Sequence, residues 1–390
     1  MQFGSIFVGM TVQLVSKKAN RLAVGCFFFI AGLSFASWAS RIPDIKTELG
    51  LNDAALGAVL FALPLGSIVS LPLSGWLVTR FSSKKIATIA LCCYPLILVL
   101  IGLATASWQL AGILFSFGLF GNMCNISVNT QAVGVEALYG RSIMASFHGI
   151  WSLAGFTGAA IGTLMVTLVV SPFWHFCMIC GASLLLIALI QGYALQKDAG
   201  HPDQPVFVKP DLDMLKLGLI AFSSMVCEGT MFDWSGVYFQ NVVAVPQKMI
   251  PLGYAAFMST MAAGRFLGDR IVSRFGKQKV LQLSGIVITT GLLLSVVFPT
   301  IIIATTGFLL VGFGVSSVIP LVYSSAGKST KFSPGVALAI VSSIGFLGFL
   351  LGPPLIGFIA QASSLRWSFT LIAILGFGMT VLSSVMRWEK

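Results

Sequence analysis

About a dozen stretches of this chain run for 18 residues or more with almost no charge, and that property decides most of what it can fold into. Ile86 to Leu103 and Val280 to Phe298 are typical, and roughly 20 apolar residues are what a helix needs to cross a bilayer. Only 9% of the 390 residues are charged, against roughly a quarter in soluble domains. Inside lipid each backbone polar group must find its partner within the chain, so spanning segments of this length are helices. The fold class expected is an all-α membrane protein. A soluble enzyme would need polar faces on these segments, and they have none.

The spacing predicts twelve spans, at 21–45, 53–79, 86–106, 108–135, 143–170, 173–195, 214–241, 249–273, 279–298, 301–324, 334–361 and 366–387. They divide into a six-helix bundle over 1–195, a linker over 196–213 and a second bundle over 214–390. The linker holds Lys197, Asp198, His201, Asp203, Lys209, Asp211 and Asp213 among Pro202, Pro205 and Pro210, a composition for a solvated connection.

The halves also repeat one another. Trp38 precedes Gly57 as Trp234 precedes Gly253, at an offset of 196 residues. Arg80-Phe81 before Lys84-Lys85 returns as Arg274-Phe275 before Lys277 and Lys279. Gly155-Phe156-x-Gly158-x3-Gly162 returns as Gly345-Phe346-x-Gly348-x3-Gly352. Duplicated membrane bundles place a substrate site between the copies. The repeated glycines read as close-packing and hinge positions. Pro353-Pro354, lacking two backbone donors, is expected to kink or open its helix.

The net charge of +11 is spread between spans and forms no basic stripe for nucleic acid. With the N-terminus cytoplasmic, 18 basic residues fall on that side against four (Arg41, Lys46, Lys248, Arg366) opposite. The positive-inside rule then puts both termini in the cytoplasm. Lys17, Lys18 and Arg21 precede a retained first helix, because no small-residue cleavage site follows. The seven cysteines lie mostly in apolar runs, and Cys177-x-x-Cys180 has no second pair, so no metal or redox role is expected. No phosphate-binding Gly-x-x-x-x-Gly-Lys loop is present, and no cofactor or enzymatic constellation emerges.

Twelve spans in a 6+6 arrangement, a charged central linker and basic loops between spans two and three resemble the major facilitator superfamily, along essentially the whole chain. Trp38-Ala-Ser-Arg41-Ile-Pro43-Asp44-Ile-Lys46 and Glu228-Gly-Thr-Met-Phe-Asp233-Trp234-Ser look like the YbjJ-type branch of bacterial carriers, near the fucose permease-like sugar transporters. The resemblance implies two pseudo-symmetric six-helix bundles, a monomer, and an inner (plasma) membrane location in a bacterium. The family's loop pattern Gly-x-x-x-Asp-Arg is kept only in part. Gly75-x-x-x-Thr79-Arg80 carries threonine for aspartate, and Ser273 holds that position before Arg274.

Glu228 is the most informative single residue, an acid near the middle of its span. A charge there costs several kcal/mol unless paired, neutralised or solvated, so it marks either a proton-coupling group or a permanently bonded packing acid. Asp233 lies about 7.5 Å further along the axis and is expected on a different face, to bind substrate hydroxyls or pair with Arg41. Trp38 and Trp234 suit stacking on a sugar's C–H face or anchoring at the membrane interface. Asn122, Asn125 and Asn129 share one helical face and suit a polyhydroxylated solute or helix–helix hydrogen bonding. His148 and Trp151 are i, i+3 neighbours, the histidine a relay or a group bonded to a carbonyl. Arg265 and Asp269, four apart near a cytoplasmic helix end, are expected to pair, and with Arg80 and Arg274 they are the gating candidates.

The function expected is secondary active transport of a small polar, sugar-like solute, with protons coupled through Glu228. One rival is a proton-driven exporter of drugs or amphipathic metabolites, since 31 phenylalanines and 14 methionines could line an apolar cavity. Another is a non-transporting sensor on a transporter scaffold.

Overall fold

The computed structural model describes residues 16–140, 143–196, 210–329, 331–332 and 334–386; the side chains of 145, 269, 334 and 335 are not described. The first half contains α1 (Lys17–Glu48), α2 (Asp53–Leu60), α3 (Ala62–Phe81), α4 (Ser83–Ile101), α5 (Ser107–Tyr139), α6 (Met144–Thr167) and α7 (Pro172–Ile190). The second contains α8 (Leu212–Asn241), α9 (Leu252–Phe275), α10 (Lys277–Val297), α11 (Ile301–Val315), α12 (Val318–Ala326), α13 (Pro334–Ala362) and α14 (Leu365–Val385). No strand occurs among the described residues.

Two pairs of helices each form one broken span, so among the described residues fourteen α-helices make twelve crossings. The chain turns at Phe61, between α2 and α3, where Pro64 has no amide to give the Leu60 carbonyl. It turns again at Ser316 and Ser317, where Pro320 has none for the Ser316 carbonyl. Among the described residues, eleven of the crossings are long and apolar enough to span a bilayer by length and composition. The twelfth, α9, carries Arg265, Asp269, Arg270 and Arg274. Pro353-Pro354 do not open their helix, for α13 is helical through both prolines.

Side-chain caps fix several helix starts. Ser16 accepts from the Ala19 amide at 3.2 Å and Asn52 from that of Ala55 at 2.8 Å. Asp211 accepts from the Met214 amide at 2.9 Å and also takes Lys331 Nζ at 2.9 Å. Glu136, near the end of α5, accepts from the amides of Ile143 and Met144 at 2.7 and 2.8 Å, so one carboxylate covers the start of α6.

The glycine repeat is a packing repeat. A methyl group at Gly158 would run into Ala36 and the Leu33 carbonyl of α1, and one at Gly348 into the Phe222 carbonyl and Val226 of α8. Thus α6 lies against α1 as α13 lies against α8. Alternation of direction puts the starts of α1 and α8 at one end, called here the linker end, and the ends of both at the far end. The bundles are joined most extensively at the far end, where α2 packs on α13. A Cβ on Gly57 would meet the backbone of Pro353 and Gly357. Gln240 Nε2 also donates to Thr47 Oγ1 there, at 3.1 Å.

Candidate functional site: the cavity between the bundles

A cavity of about 390 Å³ lies where the two halves face each other, walled by α1, α2, α3, α4, α5 and α6 on one side and α8, α9, α12 and α13 on the other. Each wall is built by helical periodicity. Phe28, Ala31 and Phe35 form one turn-spaced row on α1, and Phe346, Phe349 and Pro353 form another on α13. On α8 the lining residues are Met225, Glu228, Gly229, Phe232 and Asp233, at i, i+3, i+4, i+7 and i+8. Glu228 and Asp233 therefore border one continuous stripe. The different-face expectation is corrected here: 140° of separation still lies within a face that the bundle interface covers.

Glu228 is 6% exposed, and its partner is Arg265 of α9, with Nη2 to Oε1 at 3.3 Å. Arg265 sits midway along α9 and faces the cavity, where it makes this pair, and the expected pairing with Asp269 falls on a side chain outside the described residues. Arg265 reaches further, donating from Nη1 to Ser152 Oγ of α6 at 2.6 Å and resting 5.7 Å from the Trp151 ring centroid. Ser152 in turn donates to the His148 carbonyl at 3.1 Å. The guanidinium thus links the two bundles while its counter-ion stays on its own side.

Asn122, Asn125, Asn129, His148 and Trp151 all line the cavity. Asn129 Nδ2 donates to the carbonyl and to Oδ1 of Asn125, both at 2.8 Å. The Asn122 amide nitrogen is buried with no hydrogen-bond partner among the described residues. His148 meets the Phe28 ring edge-on at 5.3 Å. Asn125 and His148 are solvent-exposed although they line the interior, and both lie on the linker side of Glu228. The cavity is open toward the linker end and closed at the far end.

Trp38, Trp234 and Arg41 are not part of it. Both indoles are 0% exposed, so neither the stacking nor the interface-anchor expectation describes them; they are core residues at matched depths. Arg41 is 3% exposed, with Nε 2.7 Å from Asp44 Oδ2 and Nη2 donating to the Val170 carbonyl at 2.7 Å. It pairs within its own bundle because Asp44 is one turn away on α1, whereas Asp233 faces the cavity. No ion pair or hydrogen bond to the Asp233 carboxylate exists among the described residues. Arg80 and Arg274 are exposed at the linker-end termini of α3 and α9. Arg274 lies over the Phe275 ring at 5.6 Å. Thr79, standing at the family's aspartate position, donates to Gly75 and Trp76 carbonyls of its own helix.

Sequence reasoning missed the aromatic walls and Ser152. Phe232 is their hub, 5.1 Å from Phe35, 6.3 Å from Trp151 and 6.4 Å from Phe349 by ring centroids. The turn-spaced phenylalanines carried the signal, but uniformly apolar helices conceal which face meets water and which meets lipid.

The sequence pattern of the Major Facilitator Superfamily matches residues 22–333. An uncharacterised MFS-type transporter of Yersinia pestis is 35% identical over 360 residues, 92% of each chain. Among solved structures, a bacterial homologue of the human lysosomal transporter Spinster, inward-facing and occupied, superposes with a TM-score of 0.74 at 14% identity, over 94% of this chain and 97% of that one. The nucleoside transporter NupG gives a TM-score of 0.70 at 15% identity, over 94% and 100%. With its duplicated bundles, its interfacial cavity and this sequence match, the chain belongs to the major facilitator superfamily.

Proposed function

We propose that this multi-pass membrane protein is a secondary active transporter of a small polar, sugar-like solute, driven by protons through Glu228. It works as a monomer in a bacterial inner membrane with both termini cytoplasmic. The observation that carries the reading is the Glu228–Arg265 pair, held inside a solvent-reached cavity where the two bundles meet. An intramembrane carboxylate bordering such a cavity is a functional group by default. Its charge holds Arg265, and Arg265 bonds across the interface to Ser152. A proton on Glu228 loosens that hold and frees the guanidinium, so the protonation state biases how the bundles sit. The basic residues at the linker end make that end cytoplasmic, and the cavity then faces inward. Three asparagines and an aromatic wall suit a solute with hydroxyl or carbonyl groups and an apolar ring face. The nucleoside carried by the structural neighbour NupG is a solute of that kind.

The expected outcome for Glu228→Gln in proteoliposomes is loss of pH-gradient-driven accumulation with solute exchange retained. Unchanged accumulation rejects the coupling role. A second reading, export of amphipathic compounds, draws on Phe28, Phe35, Phe232, Phe346 and Phe349 in the walls. Resistance conferred on a sensitive host against lipophilic cations and dyes separates it from the first.

A further inference from the structure

Asp233 is the carboxylate the coupling scheme leaves unused. It lines the cavity about 7.5 Å beyond Glu228 along α8, toward the closed far end. Among the described residues, the acidic and basic side chains lining the cavity are Glu228, Asp233, Arg265 and His148. Glu228 and Arg265 answer each other. The imidazole, on the linker side, is packed edge-on against Phe28. Asp233 has no cation and no hydrogen-bond donor among the described residues, so the cavity holds one carboxyl group without a partner, beyond Glu228 toward the far end.

The groups nearby suit a positive guest. The adjoining Phe232 ring joins Phe35 and Phe349 in the wall, and the faces of such rings attract ammonium groups. A desolvated carboxylate without a partner is costly, and a ligand cation removes that cost on docking. Resting on the transport reading above, we infer that the solute is a monocation: a hydroxylated amine whose ammonium docks on Asp233 while its hydroxyls meet Asn122, the asparagine nearest that end, whose amide nitrogen has no partner among the described residues. A neutral sugar would offer Asp233 hydroxyl donors but no counter-charge. An anionic one would be repelled by it.

The test is thermal-shift and calorimetric titration of the full-length protein in detergent with matched pairs differing only in amine against hydroxyl: glucosamine with glucose, and serinol with glycerol. The expected result is that an amine member binds at least tenfold more tightly than its hydroxyl partner. Asp233→Asn abolishes that preference and Asp233→Glu keeps it. Equal or tighter binding of the hydroxyl members, no binding by either amine, or a preference that survives Asp233→Asn overturns the inference. If Asp233→Asn does not fold, the preference of the unaltered protein decides alone. Failure of the transport reading looks different: the amine still binds, but proteoliposomes show no flux.

Discussion

At the scale of single residues, the pair at the centre of the cavity ties stability to function. Glu228 and Arg265 are 8% and 18% exposed in their side chains, so removing one partner leaves the other buried without a counter-charge. Arg265→Met is therefore expected to destabilise the protein by about 3 kcal/mol. Adding Glu228→Gln to it recovers much of the loss, and the two melting temperatures in detergent check the difference. An Arg265→Met protein as stable as the original would show that solvent in the cavity, not the guanidinium, holds the carboxylate. Sequence alone singled out Glu228 because an acid in mid-span is conspicuous. It could not find the partner, since Arg265 lies 37 residues away and only the packing of α9 on α8 brings the two together. Trp38 and Trp234 are the reverse case, buried in the core at 0% exposure. Tryptophan's chemistry fits a sugar, an interface and a core equally, and only the rotation of α1 and α8 decides among them.

At the scale of elements, the spans themselves were legible because lipid leaves a chain so few choices. All twelve crossings stand within a few residues of where hydropathy put them. The two breaks, at Phe61 and at Ser316-Ser317, were not legible, for Pro64 and Pro320 sit near helix starts that only the tertiary bends create. Helix ends exposed to water obey ordinary capping rules. Asp211 is held below the usual carboxylate range, first by the Met214 amide and then by Lys331. A depressed pKa contributes stability that is full above the unfolded value and disappears as pH falls through the folded one. The start of α8 is thus expected to loosen only below about pH 4. Asp211→Ala should cost about 1 kcal/mol and flatten that acid limb, measurable as melting temperature against pH from 3 to 6.

For the molecule as a whole, function depends on two bundles that touch unequally along their length. Thr47 and Gln240 face each other across the closed end. Cysteines at both positions are expected to form a disulfide that stops transport, and reductant should restore it. Uptake that continues with the crosslink complete would mean this end never opens. The tightest joint at that end is the approach of Gly57 to Gly357, two residues without side chains. Main chain resting on main chain leaves nothing to unlock when it parts, no ion pair to strip and no knob to withdraw from a socket. At that joint closure rests on fit, with the Thr47–Gln240 hydrogen bond beside it to break, so the occupant of the chamber, rather than the glycine seam, can set the pace of each cycle.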